Sequence, residues 1–221
     1  MTHQGGDVFI SKLELMIIDH HTRQPPANDI FIDDDVLADR NYIVREPNIT
    51  ITQLTAETDN GISIAKPFAL QNFSKRIHSQ NWSTNGKRDR ASLKDWLYSR
   101  YGKRKQFWMS HWTPDIILTS DALQGASSID VKTTSYNAPF AIQIIDANRN
   151  ANRHMVISVE SVDSQTSRLS LSEPTIIAYS VQETPIISIL RKVRQNSDVV
   201  TLTYGNWDNT KTTVGVIDVV Q

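Results

Sequence analysis

Ser92-Leu93-Lys94-Asp95-Trp96-Leu97-Tyr98-Ser99-Arg100-Tyr101-Gly102-Lys103-Arg104-Lys105-Gln106-Phe107-Trp108-Met109 decides the reading of the chain. Leu93, Trp96, Leu97 and Tyr101 recur at i, i+3, i+4 and i+8, one face of a helix. Ser92 suits the N-cap, and Asp95 lies three residues on, where its carboxylate can reach back to the cap. Gly102 is a natural stop, and Lys103-Arg104-Lys105 complement the negative end of the helix dipole. The pattern predicts a helix over residues 92–101, followed by a strand from Gln106 to Met109.

Outside this stretch the periodicity is that of strands. On the N-terminal side, Val8–Ile18, Ile30–Ile32, Tyr42–Arg45, Ile49–Leu54, Ile62–Ala65 and Phe68–Trp82 are candidates. On the C-terminal side short apolar runs recur: Asp115–Thr119, Ser128–Thr133, Phe140–Ile145, His154–Val159, Arg168–Leu171, Ile176–Val181, Ile186–Val193, Val199–Tyr204 and Thr213–Val219. Asp59-Asn60-Gly61 reads as a turn, and Asp146–Arg153 as a hairpin loop. No helical period follows residue 105. The expected fold is therefore mainly β, a β-barrel or sandwich with a single α-helix. The 221 residues read as one β-rich domain, with residues 1–60 either an extension of it or a separate subdomain.

Charge is segregated behind a formal net charge of −1. Residues 1–60 hold eleven acids and four bases, among the acids the run Asp33-Asp34-Asp35. Residues 87–105 hold eight bases and two acids. A chain with one acidic and one basic part attracts copies of itself head to tail. The alternative is a pair of solvated faces that never meet.

The chain has no Cys, which excludes disulfides, a Cys nucleophile and Cys-ligated zinc or iron–sulfur centres. No apolar run is long enough for a transmembrane helix, and Met1–Asp7 lacks the features of a secretory signal. His20-His21 and the Asp33–Asp35 run lack metal-ligand spacing. No hydrolase elbow, zincin, Walker or dinucleotide fingerprint occurs. We therefore expect no metal, no cofactor and no enzymatic activity. The five Trp and the Phe107-Trp108-Met109 run read as core.

The segment from Trp96 to Ile116 carries a resemblance. A helix ends in Arg100-Tyr101-Gly102-Lys103, followed by Phe107-Trp108, a short gap, Trp112 and Asp115. This resembles tail-tip and baseplate proteins of long-tailed bacteriophages and prophages, similar to distal tail proteins. Ile189–Asp198, followed by Thr201-Leu202-Thr203 and a last alternating strand, looks similar to the same group. The likeness covers about residues 62–221 and leaves the acidic N-terminal part unmatched.

The resemblance implies a tail-tube-type barrel or sandwich carrying one helix, in a virion component made in the bacterial cytoplasm. It implies a homo-oligomeric ring, hexameric or trimeric, that joins tail tube, hub and tape-measure proteins. DNA would pass through the lumen only transiently. Trp96, Leu97, Tyr101, Gly102, Phe107, Trp108, Trp112 and Asp115 are then motif and core residues. A closed ring needs two complementary patches on each subunit. The expected pair is the acidic part at Asp33, Asp34 and Asp35 and the basic part at Arg100, Lys103, Arg104 and Lys105. Two rivals use the same residues differently. A nucleic-acid-binding barrel would use the basic 87–105 segment with nearby aromatics. A carbohydrate-binding sandwich would use Trp108, Trp112 and Trp207 as sugar platforms.

Overall fold

The structure is a computed structural model of the chain. It describes residues 12–16, 29–37, 43–52, 55–58, 66–69, 75–110, 113–204 and 209–219. The elements in chain order are β1 (Lys12–Met16), β2 (Asp29–Phe31), β3 (Asp34–Leu37), β4 (Ile43–Thr52), β5 (Thr55–Thr58), β6 (Lys66–Ala69) and β7 (Lys75–Asn85). Next come the helix α1 (Lys87–Ser99), β8 (Gln106–Ser110), β9 (Ser128–Lys132), β10 (Phe140–Ile145), β11 (Ala151–Ser161) and β12 (Thr166–Leu171). A 3-10 turn (Val181–Glu183) precedes β13 (Ile186–Gln195), β14 (Val199–Tyr204) and β15 (Asn209–Asp218). The described chain is thus mainly β with one α-helix, as its periodicity predicts. None of its helices is long and apolar enough to cross a membrane.

The chain divides into two compact units, with boundaries inside β2, β8 and β13 and one between β3 and β4. Among the described residues of the acidic first sixty, β1 pairs with β14, β3 with β8 and β4 with β7.

One unit is built around β15. Along one side of β15 runs β7, from Asn209↔Asn85 to Ile217↔Ile77. The other side is shared, with β14 beside residues 210–212 and the end of β13 beside residues 216–218. β4 extends the sheet beyond β7, and β1 extends it beyond β14. Alternation on β7 buries His78, Gln80, Trp82 and Thr84 on one face. α1 buries Leu93, Trp96 and Leu97. The indole of Trp96 stands edge-on to Trp82 at 6.0 Å and to Phe107 at 4.9 Å, the favoured aromatic geometry.

The helix begins earlier than the sequence suggests. It starts at Lys87 behind Gly86, whose φ is 91°, and Ser92 is an exposed mid-helix residue instead of the cap. The first turn, Lys87-Arg88-Asp89-Arg90, is entirely charged, so the buried face starts only at Leu93. The helix ends at Ser99, and Tyr101 and Gly102 follow with φ of 51° and 63°. Tyr101, expected inside the helix, is therefore the first left-handed residue beyond it.

The other unit is a curled antiparallel sheet in the order β13-β10-β11-β12-β9. Between β9 and β13 runs the segment that was expected as a strand over 115–119. Its Ile116 bridges Ile187 on β13 and its Leu118 bridges Val131 on β9, which closes the curl on itself. Inward residues from every strand fill the centre, among them Val131, Ile142, Val156, Leu169 and Ile187. Arg168 on β12 grips the Asp130 carboxylate on β9 through two bonds of 2.7 and 2.9 Å. That cross-strand pair helps fix the register and holds the Asp130 carboxyl below its ordinary range. Outside the β10–β13 wall, Val36, Trp108, Ala141 and Leu190 make a second small core, with Phe31 edge-on to Trp108 at 5.5 Å. Ile176–Val181, a candidate strand in the sequence, forms only a bridge from Tyr179 to Ala122.

Candidate functional site

The basic turn is the best-defined surface feature of the first unit. Helix α1 ends with the Arg100 and Tyr101 N–H groups donating to Leu97 and Tyr98 carbonyls. The Lys105 N–H then donates to the Arg100 carbonyl at 3.1 Å and closes the turn. Asp198, on the turn between β13 and β14, fixes it from outside by accepting the Lys103 N–H at 2.8 Å. Arg194 reaches the Lys103 carbonyl at 3.5 Å. Gly102 is buried in this junction, and a Cβ there would collide with the Asp198 carboxylate and lie 3.0 Å from its Cα. Lys103, Arg104 and Lys105 are all exposed on this fixed backbone. The Lys103 ammonium lies 3.8 Å from Asp198, a solvated pair of little energetic weight. The Lys105 ammonium lies over the Tyr101 ring at 4.8 Å.

Arg100 is a correction. Expected at a surface, it is fully buried, with its guanidinium 5.1 Å from the centre of the Trp96 ring and bonded to the Ser99 hydroxyl. A helix-end cation at this position packs inward on the aromatic cluster, so it belongs to the core and not to a docking face. Trp96, Leu97 and Phe107 share that unit's core, and Trp108 is buried in the other unit.

The acidic run lies on the β2–β3 hairpin of the second unit. Ile32 and Asp33 form its two-residue turn with φ of 47° and 64°, the pattern of a type I′ turn. Asp34 and Asp35 are half-buried at the start of β3, so the run passes from the turn into the strand. The hairpin tip exposes Asp33 together with Ile30 and Ile32, whose exposures are 66% and 49%. A β-branched residue at positive φ is strained and is held there by the paired strands.

Asp115 has a structural role. Its carboxylate accepts the Ile189 N–H at 2.9 Å and the Thr113 hydroxyl at 3.0 Å, tying the closing segment of the barrel to β13. Trp112 and Trp207 lie outside the described residues. Sequence reasoning missed Asp198 and Arg194, which build the basic turn from about ninety residues away. Only the turn-forming Asn196-Ser197-Asp198 composition marks the place in the sequence.

No protein-family model matches the chain, and no curated protein sequence is significantly similar to it. The site must therefore be interpreted from its own geometry.

Proposed function

We propose that this protein is a structural subunit of a phage-tail tip or baseplate, assembling into a ring through opposite charges on two surfaces. One surface is the basic turn Lys103–Lys105, and the other is the acidic tip of the β2–β3 hairpin. The observation that carries the reading is that three exposed cations stand on a turn fixed by Asp198 and a buried glycine. A charge patch on a fixed backbone loses little entropy on docking and defines a register. The hairpin tip supplies the complement, with Ile30 and Ile32 as apolar anchors beside Asp33.

In a ring, the hairpin of one copy meets the basic turn of the next under a rotation that closes. The basic turn then faces a protein neighbour. A basic lumen would instead hold DNA phosphates in a salt-sensitive way and hinder passage. The burial of Trp82, Trp96, Phe107 and Trp108 supports this reading over a single-strand-binding barrel, which needs exposed stacking rings. The test is Lys103→Glu/Arg104→Glu/Lys105→Glu. Assembly measured by light scattering should fall, while the far-UV spectrum and melting temperature stay near those of the parent. Unchanged assembly would contradict the proposal.

A further inference from the structure

The closed curl of the second unit has an open end. Between β11 and β12 the pairing shifts register between Val156 and Ser158. Such a bulge changes which residues face inward beyond it. Before it, His154 and Val156 alternate into the barrel, and after it the half-buried Val159 pairs with Leu169 and the exposed Ser161 with the buried Ser167 at the end of the same face. Without the extra residue, the charged Glu160 would take the inward position at this end. The bulge thus places two paired serines at the barrel mouth.

The connection leaving β9 folds over the same end. Together they border an open cleft of about 460 Å³, within the roughly 300–1,000 Å³ range of small-molecule sites. Ser161 and Ser167 form one side, and the 133–138 segment forms the other. Every lining side chain is uncharged, and most carry a hydroxyl or amide. Three of these hydroxyls are anchored internally. Thr133 donates to the Ser164 carbonyl at 3.3 Å, Ser161 donates to the Asp163 carbonyl at 3.1 Å, and Thr134 accepts the Tyr136 N–H at 3.3 Å. Those bonds fix the rim and leave oxygen lone pairs to accept from a ligand. Ser135 and Asn137 are exposed on the segment and offer donors as well as acceptors. Tyr136 adds an aromatic surface, its ring set 5.7 Å from Phe140.

We propose that this barrel mouth binds a neutral, polyhydroxylated ligand, a mono- or disaccharide. A charged ligand would find no countercharge in the lining, and an apolar one would strand the rim hydroxyls without partners. A sugar presents hydroxyls to the rim and a C–H face to the tyrosine ring. An open cleft covers only part of such a ligand, so the affinity expected is modest, on the order of millimolar.

The experiment is amide chemical-shift titration of the full chain with glucose, N-acetylglucosamine, maltose and chitobiose. At least one should give saturable shifts confined to residues 133–138 and 159–167. The double variant Ser135→Ala/Asn137→Ala changes only exposed side chains, and should weaken that binding about threefold to tenfold without altering other amides. No saturable shift with any of the four sugars overturns the proposal. So does binding that the double variant leaves unchanged, or shifts at these amides produced only by an uncharged Gly-Ser peptide.

Discussion

A methyl group at position 102 would strike the Asp198 carboxylate and would sit on a backbone whose φ is +63°. Both effects act together, so Gly102→Ala should destabilise the protein by about 2–4 kcal/mol in urea unfolding. Adding Asp198→Ala should recover part of the loss, because the carboxylate clash disappears while the left-handed conformation remains. A second residue reports on the barrel interior. Burial lowers the His154 pKa below its ordinary 6.5, against a smaller upward pull from Glu173. The unfolded chain therefore takes up this proton at higher pH than the folded one. Stability from neutral His154 is fully present above about pH 6.5 and is lost as pH falls through the lowered folded-state value. His154→Gln should flatten the fall in unfolding free energy between pH 7.5 and pH 5. An unchanged slope would assign that fall to other groups.

At the scale of elements, the helix tests how far local signals reach. Ser92 has the sequence of a cap but lies exposed in mid-helix, whereas Gly86 holds the true N-terminus at φ 91°. Ser92→Ala should be neutral or stabilising by a few tenths of a kcal/mol, and Gly86→Ala should be destabilising by about 1 kcal/mol. The reverse order in thermal melts would restore the later helix start. Trp96 stacks edge-on with two rings and lies beneath the Arg100 guanidinium, so Trp96→Ala should cost about 3–5 kcal/mol. The strands were legible where apolar residues run together, as in β10, or alternate, as in β14, and the bounds of both match the expected ones. The buried face of β7 was not, because His78, Gln80 and Thr84 occupy inward positions that polarity assigns to solvent. The barrel mouth was equally hidden, since a single bulge decides which residues of β11 line it.

For the whole molecule, the sequence carried the class and not the partition. A mainly β chain with one helix follows from periodicity. The division into two units does not, because three of its boundaries run through the strands β2, β8 and β13, where no linker composition marks them. The candidate surfaces were legible as charge, through Lys103–Lys105 and Asp33–Asp35. Their construction was not, since Asp198 and the strained Ile32-Asp33 turn are products of the fold. Arg100 shows the limit of charge alone, as it reads like its basic neighbours and lies in the core. The central claim is self-assembly through opposite charges. Its most direct test is the solution mass by light scattering across protein concentration at low and high salt. The account predicts a closed species six or three times the 25.0 kDa protomer at low salt, dissociating as salt screens the charges. A mass of 25.0 kDa at every concentration and salt level would contradict it.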